Sequence, residues 1–120
     1  MAPRSLILPK TKRLVRTAEF ARVKSEGKAQ GGRLLVLGVF AQPEEKQFRV
    51  GFVTSKRLGG AVVRNRVRRR LRDIVRTGQH QLRDGFWFVV VARPAAARAT
   101  YRELKDEWLH LAERASILAP

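Results

Sequence analysis

The chain has 120 residues, 26 Lys and Arg against 10 Asp and Glu, a net charge of +16 and a hydrophobic share of 44%. One domain with a real core fits that length, and the hydrophobic share excludes a disordered basic tail. The charge argues for a polyanionic partner, while the absence of cysteine removes disulfides, thiolate metal sites and a Cys nucleophile.

Residues 1–16 hold Pro3, Pro9 and five cations (Arg4, Lys10, Lys12, Arg13, Arg16) and read as an extended basic arm; for 1–7 a disordered tail is the alternative. Leu6-Ile7-Leu8 is too short for a signal core, so a cytoplasmic protein is expected. Thr17 is the predicted N-cap of a first helix, with Glu19 in its first turn, Phe20 and Val23 on one face and Gly27 as its stop. Gly31-Gly32 breaks the chain. Residues 33–41 form a strand candidate, 42–46 (QPEEK) a polar turn, and 47–55 a second strand. In that strand Phe48, Val50 and Phe52 fall on one side, with Arg49, Gly51 and Val53 on the other. The short turn predicts an antiparallel hairpin.

Residues 56–76 (KRLGGAVVRNRVRRRLRDIVR) carry nine of the cations and one acid, Asp73. Val63, Val67, Leu71 and Ile74 recur at helical spacing. Asn65, Arg68, Arg69, Arg72 and Arg76 lie roughly opposite, with Arg64 and Arg66 on the shoulders. Arg70 falls at the edge of the apolar face, where its stem must snorkel. Seven arginines on one helix repel each other, and a polyanion relieves that repulsion. Gly78 is the predicted stop.

Residues 86–92 form the next strand, and a strand-helix-strand order predicts a parallel pairing. Thr100 to Glu103 spell a capping box, followed by a stripe of Tyr101, Leu104, Trp108, Leu111, Ala112 and Ala115. The order α-β-β-α-β-α predicts an α+β fold, a single-domain two-layer α-β sandwich.

The longest apolar runs, 34–41 and 86–92, fall far short of the ~20 residues of a spanning helix. Nucleic acid is therefore the expected partner, and no membrane. The acids cluster in turns and on the last helix, and His80 and His110 read as solvated or structural. No catalytic residue and no metal ligand are expected in the protein. Gly59-Gly60 is not followed by the Lys-Ser/Thr of a phosphate-binding loop. Arginines on a helix beside aromatic residues make a nucleic-acid surface. Phe48, Phe52, Phe86, Trp87, Phe88 and Trp108 read as core, and Phe20 as either core or stacking platform.

The run 49–72 (RVGFVTSKRLGGAVVRNRVRRRLR) resembles the signature of the bacterial ribonuclease P protein component. Arg13-Leu14, Glu19-Phe20 and Val91-Ala92-Arg93-Pro94 extend the resemblance over about residues 8–118. It implies a ribosomal protein S5 domain 2-like sandwich with a left-handed β-α-β crossover. It also implies a protein subunit of ribonuclease P, an endoribonuclease holoenzyme that removes the 5′ leader of precursor tRNA. The chemistry would belong to a catalytic RNA and its Mg2+ ions. The resemblance assigns binding of that RNA to Lys56, Arg57, Arg64, Asn65, Arg66, Arg68, Arg69 and Arg72. It assigns leader binding to Arg13, Phe20, Lys24, Arg57, Arg64 and Asn65. No obligate protein partner is implied. Three departures stand out: Lys24 stands where members often have a second aromatic, Gly38 lies near a place where some have a cleft tyrosine, and Arg70 replaces a residue that is usually apolar. Leader binding by charge more than by stacking is the expectation. A ribosomal or RNA-chaperone protein is the alternative.

Overall fold

Seven elements follow one another along residues 8–119, the part described by the computed structural model: α1 (Thr17–Glu26), β1 (Lys28–Gly31), β2 (Leu35–Ala41), β3 (Arg49–Val53), α2 (Ala61–Thr77), β4 (Phe86–Ala92) and α3 (Tyr101–Arg114). The strands form one sheet in the order β1-β2-β4-β3. β4 pairs antiparallel with β2 (Val36 opposite Val91) and parallel with β3 (Val53 opposite Val91). The predicted parallel crossover is therefore present, with α2 connecting β3 to β4.

Two expectations about the sheet are corrected. The strands at 33–41 and 47–55 are not a hairpin, because β4 lies between them. β4 is the most continuously apolar segment of the chain. A strand buried on both faces gains most at the centre of a sheet, and that outweighs the closeness of β2 and β3 in sequence. The sheet also has one strand more than predicted. β1, KAQG, is mostly exposed and runs antiparallel along β2. It has no apolar alternation, so it left no periodic signal.

One face of the sheet carries the main core. Leu35, Leu37, Phe48, Val50, Phe88 and Val90 pack beneath Val67, Leu71, Ile74 and Val75 of α2 and Leu104, Trp108, Leu111 and Ala112 of α3. Phe48 stacks on Phe88 with ring centroids 5.8 Å apart. Sheet, α2 and α3 make the sandwich. Each such buried aliphatic side chain contributes roughly 1.5–3 kcal/mol. The short α1 crosses the opposite face, where Leu14, Val23, Trp87 and Val89 form a smaller cluster.

Local chemistry sets the element ends. Thr17 is the first helical residue of α1 and not its cap; the N-cap position falls on Arg16. The side chain of Glu19 accepts the N–H groups of Val15 (3.1 Å) and Arg16 (2.9 Å), as a first-turn carboxylate should. The capping box of α3 forms as expected, with Glu103 N–H donating to Thr100 Oγ1 and Thr100 N–H to Glu103 Oε1. Glu107 of α3 holds the β1–β2 turn. Its carboxylate accepts the N–H groups of Arg33, Leu34 and Leu35 at 3.1, 2.7 and 2.5 Å. Gly32 makes room for it, since a Cβ there would overlap the carboxylate.

Residues 8–16 are laid against the sheet. Leu8 and Leu14 are buried, and Leu14 N–H donates to Val50 O (2.9 Å). Residues 1–7 of the predicted arm lie outside the described residues.

Candidate nucleic-acid interface

The cations of α2 do not form one face. The apolar stripe of Val67, Leu71, Ile74 and Val75 seats the helix on the sheet. Residues four apart share a side of a helix, so Arg64, Arg68 and Arg72 line one flank, and Arg66 and Arg70 the other. Asn65 and Arg69 form the crest between them.

The first flank faces β3, an edge strand. Arg68 donates to Thr54 Oγ1 (2.6 Å) and to Asn65 Oδ1 (3.1 Å), which fixes its guanidinium beside the strand. Arg64 is half-buried there, and its Nε is shielded from solvent without a hydrogen-bond partner. From the opposite face of the sheet, α1 lays Phe20 across the backbone of Gly51. A Cβ at position 51 would overlap the ring, so this seat requires glycine. Arg13, Leu14, Phe20, Gly51, Arg68 and Arg72 thus line one small cleft wrapped around the edge of β3. Arg13 is held by its own donation to Leu8 O (2.7 and 3.0 Å).

The α1 helix divides its face of the sheet into two parts. On the side of Phe20 and Lys24, the half-buried Val36, Val53 and Val91 form an apolar strip with no aromatic residue. Lys24 is exposed one turn beyond Phe20. On the other side, Phe40 meets Trp87 edge to face at 6.2 Å. Arg22 lies over both rings (5.0 and 5.7 Å), and Arg49 over Trp87 (5.5 Å). These two arginines are neutralised locally, Arg22 by Glu26 at 2.9 Å and Arg49 by Glu19. The cationic character of this face therefore concentrates on the Phe20 side.

Two carboxylates are set by these contacts. Burial alone would raise the pKa of Glu19, but the N–H groups of Arg16 and Val15 and the guanidinium of Arg49 outweigh it and hold the group below its ordinary value. Hydrogen bonds from Arg76 and from the Tyr101 hydroxyl hold Asp73 below its ordinary value against burial. Burial, with the neighbouring Asp73 carboxylate, raises Tyr101.

The residues singled out from sequence fall into three places. Arg13, Phe20, Arg68 and Arg72 meet in the β3-edge cleft, with Arg64 on the same flank and Lys24 beside it. Asn65, Arg66 and Arg69 line a groove on the far side of α2, together with Arg70, Asp73 and Tyr101. Lys56 and Arg57 lie on the 3-10 turn Lys56–Leu58, where Arg57 borders a third depression with Arg33 and Arg98. Arg33 and Arg98 were not anticipated, because isolated arginines beside a turn carry no periodic signal. Among the described residues no group of three His, Asp or Glu is placed to hold a metal ion, and no helix is long and apolar enough to cross a membrane.

A small α+β sandwich with a cationic helix at the sheet edge presents a surface suited to a polyanion. The comparisons with known proteins make this specific. The Ribonuclease P family model matches residues 8–116. The ribonuclease P protein component of Bacillus cereus is 33% identical over 113 residues, spanning 94% of this chain and 95% of that one. That of Bacillus anthracis is 34% identical over 110 residues, spanning 92% of each. The Staphylococcus aureus RNase P protein superposes with a TM-score of 0.84 at 27% identity, over 90% of this chain and 98% of that one. The Thermotoga maritima RNase P protein does so with 0.76 at 25% identity, over 85% and 96%. The chain belongs to the ribonuclease P protein family.

Proposed function

We propose that this chain is the protein subunit of a bacterial-type ribonuclease P and works in the cytoplasm. In this reading it binds the catalytic RNA and the single-stranded 5′ leader of precursor tRNA, and assists endonucleolytic release of the leader. The observation that carries the proposal is the cleft around β3. Phe20 and Arg13 approach from the α1 side and Arg68 and Arg72 from the α2 side, so one path joins the RNA-docking helix to the strip that tracks the leader. Arg64, with a desolvated Nε and no partner, is matched to a phosphate oxygen on that path. The catalytic centre and its Mg2+ belong to the RNA, and the protein supplies positioning and charge.

Leader binding here rests on cations at the rim and apolar contact on the valine strip, with Phe20 as a stacking ring. Such binding tolerates sequence and depends strongly on salt. The test combines the chain with a bacterial ribonuclease P RNA and precursor tRNA at low magnesium. Faster leader cleavage than with RNA alone is expected; an unchanged rate would sink the reading. Changing Arg64 and Arg66 together to Ala should lower the salt slope of RNA-subunit binding by about two, roughly one per lost phosphate contact.

A further inference from the structure

The groove on the far flank of α2 is built differently from the β3-edge cleft. It has a volume of about 600 Å³ and is walled by Val62, Asn65, Arg66, Arg69, Arg70, Asp73 and Tyr101. Two of its arginines are anchored from behind. Arg66 donates to Ala97 O (2.9 Å) and Arg70 to Ala99 O (2.9 Å), both carbonyls in the segment between β4 and α3. Each guanidinium spends one N–H on the anchor and keeps further donors, in a position that needs no ordering on binding. Arg69 stands beside them with no hydrogen-bond partner among the described residues. This end of the groove is a preorganised anion site.

The other end carries an ion pair, Asp73 with Arg76. Asp73, the one acid of α2, is oriented there by Arg76 and by the Tyr101 hydroxyl (2.8 Å), and it is held ionised by both. Each carboxylate oxygen has a lone pair beyond the one these partners use, and Tyr101 offers a partly exposed ring. Arg66 and Asp73 lie seven residues apart, about 10 Å along the helix axis. A groove with cations at one end, and a carboxylate and an aromatic ring at the other, matches a nucleotide laid lengthwise. Phosphate would meet the arginines and the base edge would meet Asp73.

The carboxylate also selects among bases. Guanine alone presents two adjacent donors, N1–H and the N2 amine, to an acceptor pair. Adenine and cytosine each set a ring-nitrogen acceptor beside their amine, and uracil flanks its one N–H with two carbonyl oxygens. Those acceptors would face the carboxylate oxygens, which can only accept. We propose that this groove binds one unpaired guanosine nucleotide of an RNA, with Arg66, Arg69 and Arg70 on the phosphate and Asp73 on the base edge. The proposal rests on the RNA-binding reading above and adds a base preference to it.

Tyr101 is the single tyrosine of the chain, so ring-13C-tyrosine labelling gives one set of ring resonances that reports the groove. The full chain is titrated with 5′-GMP, 5′-IMP and 5′-AMP. IMP differs from GMP only by the missing N2 amine. GMP is expected to shift Tyr101 saturably and to bind about tenfold more tightly than IMP or AMP, the size of effect typical of a hydrogen bond to a charged group. Asp73→Asn should bring the GMP to IMP ratio close to one. Equal binding of GMP and IMP by the unaltered chain, or no Tyr101 shift with GMP, would overturn the assignment; neither readout depends on a variant folding. Leader cleavage with the catalytic RNA is measured in parallel. Normal activation without a GMP preference removes the groove assignment alone. A GMP preference without activation removes the ribonuclease P reading and leaves the groove.

Discussion

The two faces of the sheet are made from the same strands and do opposite work. Beneath α2 and α3, Leu35, Leu37, Phe48, Val50, Phe88 and Val90 are sealed from solvent. Across the sheet, the neighbouring residues Val36, Val53 and Val91 remain half-open, because α1 is only ten residues long and covers one band of the face. Strand alternation assigns residues to each face, and helix length decides which face stays accessible. The open face abuts the arginine flank of α2, and that adjacency forms the cleft around β3. The sealed face carries the stability that lets the other remain uncovered.

The largest expected effect separates the two faces. Leu71→Ala, beneath α2, should cost about 2–5 kcal/mol in urea unfolding, the range for a buried leucine leaving a cavity. Val53→Ala on the open face should cost about 1 kcal/mol or less, since much of the side chain already meets solvent. Comparable losses from the two would break the distinction.

Next in size is Gly51→Val. The new side chain collides with the Phe20 ring and with Leu14, so about 1–3 kcal/mol of overpacking strain is expected. Leader affinity should fall with it, measured with precursor against mature tRNA, while binding of the catalytic RNA through the α2 crest is retained. Unchanged stability together with unchanged leader affinity would show that Phe20 does not sit where the cleft needs it. Glu107→Gln tests the sealed side at its margin. Replacing the carboxylate that receives three backbone N–H groups should cost about 1–3 kcal/mol and speed hydrogen exchange at Arg33 to Leu35, with little effect on RNA binding.

The smallest effect is a pH dependence on the open face. The folded-state pKa of Glu19 lies below its ordinary value, so its contribution is complete above the usual carboxylate range and is lost as pH falls through the folded pKa. Wild type and Glu19→Gln should therefore differ in thermal midpoint at neutral pH and converge in acid. A gap that widened on acidification would contradict the assigned contacts.

Local sequence made much of this legible. The core-facing stripe of α2 and its stop were readable, because four apolar positions repeat at helical spacing and Gly78 follows them. The α3 cap was readable because Thr100 and Glu103 satisfy each other within one turn. The β2–β3 hairpin was misread because a short turn is weak evidence of pairing when a more apolar strand arrives later and takes the centre. β1 was missed for want of a pattern. The α2 cations were legible as a set, but their division between a cleft and a groove was not. A helical wheel places Arg68 and Arg72 opposite the core, and only the neighbouring Thr54, Phe20 and Gly51 turn that flank into a cleft.

By itself, then, the sequence determined the charge, the amphipathic cationic helix, the α3 cap and the apolar strands, since each depends on contacts within a few residues. The strand order, the seating of Phe20 on Gly51, the capture of three N–H groups by Glu107 and the division of the α2 arginines between a cleft and a groove were decided by tertiary structure. Each joins residues about thirty or more apart in the chain, and their meeting depends on which strand wins the centre of the sheet. The Arg66 and Arg70 anchors show this most directly. Both guanidiniums are aimed by carbonyls of a segment that β4 places beside α2.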